Sequence, residues 1–124
     1  MKKAAERGAA AVEFALLAPV LIVVLLGIME FGRAYNVQVT LTNAAREGAR
    51  SMAIHNSQAP ARTAVKTAAA HLNPTLSDAN IAFGTASCTV DSQMTVTISY
   101  NLSTITGIAG PFAMTGKGTM LCGG

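Results

Sequence analysis

Residues 9–29 read AAAVEFALLAPVLIVVLLGIM, with Glu13 the one charged side chain among them. From Phe14 to Met29, 16 consecutive residues are uncharged, about 24 Å as a helix. A bilayer's hydrocarbon core is about 30 Å thick. The run therefore needs Ala9–Val12 and Phe31 to complete a span, with Glu13 accommodated inside it. Pro19 removes one backbone hydrogen bond and invites a kink, which membrane helices tolerate better than soluble ones do. Residues 9–31 are accordingly expected to form a transmembrane helix.

On its N-terminal side lies MKKAAERG (1–8), a short basic leader with a charge of +2, three cations minus Glu6. On its C-terminal side, EFGRAYNVQVTLTNAAREGARSMAI (30–54) contains no Pro or turn cluster, so the helix is expected to continue to about Ala53. Phe31, Ala34, Leu41, Ala45, Gly48 and Met52 recur at helical spacing, with Gln38 in the remaining slot, as an apolar stripe on a polar helix. HNSQAP (55–60) reads as a turn. A shorter helix over Ala61–Leu72 is expected to follow, with Ser57 as candidate cap and Pro60 near its first turn, and to stop at Asn73-Pro74. Beyond Pro74 the period changes. Ile81–Phe83 and Cys88–Val90 are short strand candidates, Asp91-Ser92 a turn, and Met94–Leu102 alternates apolar and polar through nine residues. Residues 107–111 read as a loop, and Ala113–Cys122 as a last strand weakened by Gly116 and Gly118. The expected fold is α+β: a long N-terminal helix, half transmembrane and half projecting and amphipathic, then a short helix and an antiparallel sheet of about three strands.

Just over half of the 124 residues are hydrophobic and 12% are charged. That is too apolar for a disordered chain. Of the net charge of +3, the leader holds +2, so residues 9–124 hold +1. No Lys/Arg stripe with interleaved aromatics exists and there is no Trp, which argues against nucleic acid as a partner. His55 and His71 are the only histidines; both sit near helix ends, where a histidine can satisfy last-turn carbonyls. No nucleophile–base pair, phosphate loop, paired-carboxylate site or metal-ligand spacing is evident, so neither an enzyme nor a cofactor is expected. Cys88 and Cys122 fall in the part that lies outside the cytoplasm if the first helix spans the membrane. In an oxidising compartment they read as a disulfide; two unpaired buried thiols are the alternative.

The N-terminus admits three readings. A cleaved secretory signal also has a basic start and an apolar run, but here the run is long and its far end, GIMEFGRAYN, lacks an A-x-A site. A plain anchor explains the hydrophobicity, and Lys2, Lys3 and Arg7 favour an N-inside orientation. It leaves unexplained Glu13, a carboxylate that is costly in hydrocarbon unless paired. Cleavage after Gly8 supplies the partner: Ala9 gains an ammonium group one helical turn before Glu13, or meets the Glu13 of a neighbouring subunit, and each charge lowers the cost of the other.

Gly8-Ala9-Ala-Ala-Val-Glu13-Phe14 resembles a type IV prepilin cleavage site, with Glu at the fifth mature position. The wider string RGAAAVEFALLAPVLIVVLLGIMEFGRAYNVQVTLTNAAREGAR (7–50) resembles the TadE-like family of tight-adherence pilus pseudopilins, in its Arg-Gly, Val-Glu-Phe-Ala, Pro19 and AAREGAR segment. The resemblance covers about a third of the chain. It implies a non-enzymatic, pilin-like minor subunit or pseudopilin, cut between Gly8 and Ala9 by a membrane-embedded prepilin peptidase. Glu13 and Phe14 would then pack against other pilin helices. It implies a leader over 1–8, a span over 9–31 and an extracytoplasmic domain over 32–124, held in a bacterial inner membrane or in the pilus. Arg46, Gly48 and Arg50 are candidates for a contact surface, or else a solvated helix face with Gly48 packed on the sheet. The alternative function is an unprocessed, single-pass anchored binding module. No small-molecule substrate is implied.

Overall fold

The computed structural model describes residues 2–108 and 110–123. In chain order they form helix α1 (Lys2–His55), helix α2 (Gln58–Ala68), a 3-10 turn (Asp78–Asn80), and strands β1 (Ile81–Phe83), β2 (Gln93–Leu102) and β3 (Phe112–Leu121). The chain divides into two units, Met1–Arg33 and Ala34–Gly124.

The first unit is the N-terminal part of α1. It is helical from Lys2, so residues 2–8 join the helix rather than preceding it, and Pro19 lies inside. This is one helix long and apolar enough to cross a membrane, and none of its most apolar window is buried within the chain. Phe31 is 77% exposed, so the buried stripe expected to begin there does not.

The second unit is built on the stripe from Ala34 onward. Leu41, Ala44, Ala45, Ala49 and Met52 of α1 are fully buried, and Ala34 packs against the same core. These spacings of three and four keep the residues on one helix face. Asn56, at φ 48°, ends α1 by leaving the right-handed region while its N–H still reaches Met52 O at 2.8 Å. From α2, Ala61 and Val65 enter the core. This helix starts three residues earlier than expected and stops at Ala68. The chain then turns, with Leu72 N donating to Ala69 O at 3.1 Å, which buries Ala69 and Leu72. Ser57 precedes α2 but makes no side-chain capping bond.

The sheet is antiparallel in the order β1-β2-β3. Met94, Val96, Ile98, Tyr100 and Leu102 of β2 are buried while the residues between them face away, the period-2 signature of a half-buried strand. Opposite them on β3 stand Met120, Gly118, Gly116, Met114 and Phe112. Arg62 of α2 secures β1: its guanidinium lies 5.0 Å from the Phe83 ring centroid and donates to Ile81 O at 3.2 Å. Lys66 pairs with Asp78, and the hydrogen bond from Lys66 holds the Asp78 carboxyl below its ordinary 3.8. An exposed pair of this kind contributes little to stability.

Cys88–Val90 is not a strand. The Cys88 N–H donates to Asn56 Oδ1 at 2.6 Å and the Thr89 N–H to Ser92 Oγ at 3.2 Å, so loop partners take the bonds a ladder would need. Val90 and Asp91 form the turn, with Asp91 at φ 62°. Cys88 and Cys122 form a disulfide between residues 34 apart. In the chain-entropy model, a link of that span stabilises the folded state by about 3–4 kcal/mol. Replacing both cysteines with serine is expected to lower the unfolding free energy by that amount. Urea titrations of the detergent-solubilised wild-type and variant chains check this, and coincident midpoints would rule out a stabilising role.

Candidate functional site

Two regions carry the residues singled out by the sequence. The first is the start of α1. The α-helix places Ala9 and Glu13 one turn apart on one face, about 6 Å along the axis. At three and four residues either side of Glu13 stand Ala9, Ala10, Leu16 and Leu17. No side-chain cation therefore occupies a helical neighbour position of this carboxylate. Val12 and Phe14 are 60% and 72% exposed, and the apolar surface continues through Leu16, Leu17, Val20 and Leu21. A helix apolar on every side and uncovered by its own chain calls for lipid or other helices around it.

Gly8 stands in helix as well. A Cβ built there would meet nothing within 4 Å. Glycine in a helix interior costs about 0.5–1 kcal/mol relative to alanine. The chain thus carries a destabilising residue at a position where its own packing does not require one.

The second region is AAREGAR (44–50). The structure separates its members. Arg46 and Arg50 are exposed, while Gly48 is buried. A Cβ at Gly48 would lie 2.5 Å from Val65 Cγ2 and 3.4 Å from Val96 Cγ1. Gly48 is therefore packed against the side chains of Val65 on α2 and Val96 on β2 of the same chain. Of the two readings of this segment, the burial of Gly48 agrees with the one that packs it on the sheet. Arg50 lines an open groove with Glu47, Ile54, His55, Pro60 and Thr63. His55 ends α1 with Nδ1 3.2 Å from Ser51 O, and His71 Nε2 lies 3.2 Å from Thr40 Oγ1. Among the described residues no group of three or more His, Cys, Asp and Glu could hold a metal ion.

Gly116 and Gly118 were read from the sequence as weak points of a strand, and their structural task was missed. Both stand on the buried face of β3, where a Cβ at Gly116 would lie 2.6 Å from Leu41 C and one at Gly118 2.5 Å from Ala45 C. They let α1 lie directly on the strand. Two glycines at i, i+2 in an otherwise alternating strand are the signal that points to such an approach.

One candidate membrane span among the described residues, followed by an α+β domain with a disulfide, defines the class: a small α+β protein with an N-terminal helix long and apolar enough to cross a membrane. Residues 8–50 match the family described as TadE-like protein. The match lies wholly within α1 and runs from Gly8 to Arg50. No curated protein and no solved structure gives a significant match.

Proposed function

We propose that the chain is a minor pilin or pseudopilin that takes part in assembling a tight-adherence pilus after a prepilin peptidase cuts it between Gly8 and Ala9. The observation that carries this reading is Glu13. It is the single charge in the apolar run and has no side-chain cation at helical reach. A carboxylate at the centre of a bilayer costs about 3 kcal/mol. An ammonium group at Ala9, on the same helix or on a neighbouring one, offsets that cost. Lys2, Lys3 and Arg7 hold the leader in the cytoplasm, which puts the disulfide-bonded domain on the oxidising side. The freed helix then packs through Phe14 and its apolar neighbours against other pilin helices. Arg46 and Arg50 offer exposed cations to acidic surfaces of assembly partners.

The intact mass of the protein from the membrane fraction tests the reading. A start at Ala9 is expected; a start at Met1 would support the unprocessed anchored module instead. Glu13→Ala is expected to leave membrane insertion unchanged and to reduce filament-associated protein by an order of magnitude or more, in line with the loss of a buried pairing partner. Normal filament incorporation of Glu13→Ala would remove the pairing role.

A further inference from the structure

The sheet of the Ala34–Gly124 unit ends in β3, which pairs with β2 alone. In an antiparallel ladder, alternate residues turn both backbone groups toward the same neighbour. The Gly84 N–H donates to Thr95 O at 2.8 Å and Asn80 Nδ2 to Ser99 O at 2.9 Å. The odd-numbered residues of β2 therefore bond on the β1 side and the even-numbered ones on the β3 side. Val96 and Ile98 stand opposite Gly118 and Gly116, so the even-numbered residues of β3 bond to β2. Thr115, Lys117, Thr119 and Leu121 consequently aim their N–H and C=O groups out of the sheet. Gln38 Nε2 meets Thr115 O there, at 2.9 Å. Over the next stretch, Lys117 to Leu121, about 14 Å of strand, the outward groups have no hydrogen-bond partner among the described residues.

An open edge of this kind is a template for one more strand, and both of its sides carry positive charge. Gln38 marks the side of α1 that faces the edge. Arg46 stands two turns further along that side, with its backbone against Gly118. Lys117 lies on the other, open face of β3, since Gly116 and Gly118 hold the buried face. Both side chains are exposed, and neither makes an ion pair or hydrogen bond among the described residues. Residues 92–124 contain no Asp or Glu. A strand laid on this edge alternates its side chains between the two sides. Two neighbouring carboxylates would therefore meet Arg46 and Lys117, one each. A second copy of β3 brings another Lys117 and no carboxylate, and like charges across a strand pair destabilise it.

We propose that the edge of β3 from Lys117 to Leu121 is a docking site for an extended segment of another protein that carries adjacent acidic residues. Backbone hydrogen bonds to Lys117, Thr119 and Leu121 hold the segment, and Arg46 and Lys117 select it. The site lies wholly within the Ala34–Gly124 unit. It goes beyond the pilin reading, because it stands whether or not the chain is cut after Gly8.

Two blocked octapeptides of alternating Thr and Val, one with a central Glu-Glu pair and one with Lys-Lys, serve as probes. Each is added at millimolar concentration to the full chain in detergent micelles, and amide exchange is followed by NMR. The expected result is slowed exchange at the Lys117, Thr119 and Leu121 amides with the Glu-Glu peptide, and binding about tenfold weaker for Lys-Lys. Arg46→Glu combined with Lys117→Glu should reverse that preference. Thr119→Pro removes an outward N–H, which an edge strand tolerates. It should lose peptide binding while the Val96 and Ile98 amides keep their protection. No slowing at the three edge amides would overturn the proposal, as would equal slowing by both peptides. Slowing that grows with protein concentration in the absence of peptide would place a second copy on the edge and also overturn it.

Discussion

Gly118→Ala is expected to loosen α1 from the sheet and to destabilise the Ala34–Gly124 domain by about 3 kcal/mol, the upper part of the usual range for overpacking. The added methyl would lie 2.5 Å from Ala45 C and 2.6 Å from Arg46 Cα. Both are backbone atoms of a helix and cannot rotate away. The strand and the helix must separate, and every core contact between them weakens with the separation. Gly116→Ala meets Leu41 C at 2.6 Å and Leu41 Cβ at 2.7 Å and is expected to behave similarly. Gly48→Ala meets chiefly Val65 Cγ2, the end of a side chain, so its cost is expected to be smaller. Urea titrations of the detergent-solubilised variants, with amide exchange followed over residues 34–55, measure the series. A wild-type midpoint for Gly118→Ala would show that the helix does not lie on β3 as closely as described.

Gly8→Ala is expected to abolish maturation while leaving the fold untouched. No atom lies within 4 Å of where the new methyl would sit, and alanine favours the helix by about 0.5–1 kcal/mol. Misfolding therefore cannot account for a loss of processing. The proposed peptidase must reach the scissile backbone. Glycine leaves that backbone bare and makes the helix cheaper to open locally; alanine removes both advantages. The variant should accumulate in the membrane with an intact mass starting at Met1, against a wild-type start at Ala9. Gly8→Leu should do the same without residual product. An Ala9 start in Gly8→Leu would show that the cut does not depend on Gly8. Because Gly8 and Gly118 are both glycines, the pair also contrasts two causes: one is expected to change chemistry with the domain intact, the other to change the domain with the cleavage site intact.

Much of the architecture was legible because it rests on local periodicity. The stripe Leu41, Ala45, Gly48 and Met52 follows the helical repeat, and Met94–Leu102 follows the strand repeat; both are buried as those repeats require. Helix ends were less legible. α2 stops at Ala68 although the sequence remains helix-compatible to Leu72, because burying Ala69 and Leu72 requires the chain to turn. Cys88–Val90 has strand-like residues but no free neighbour to pair with: Asn56 and Ser92 hold its donors. Ser92 is a local partner, three residues after Thr89, but Asn56 lies 32 residues before Cys88, so nothing near the segment signals that bond.

The sequence by itself determined the apolar helix, the placement of Glu13 one turn after Ala9, the TadE-like pattern of residues 8–50 and the alternation of β2. These depend on spacing along one chain, which the helical and strand repeats translate directly into faces. The tertiary structure alone decided that Gly48 packs inward while Arg46 and Arg50 face solvent, and that Gly116 and Gly118 admit the α1 backbone. A glycine has the same local character wherever it stands; what it does depends on which surface, 17 to 75 residues away in sequence at these positions, is brought against it.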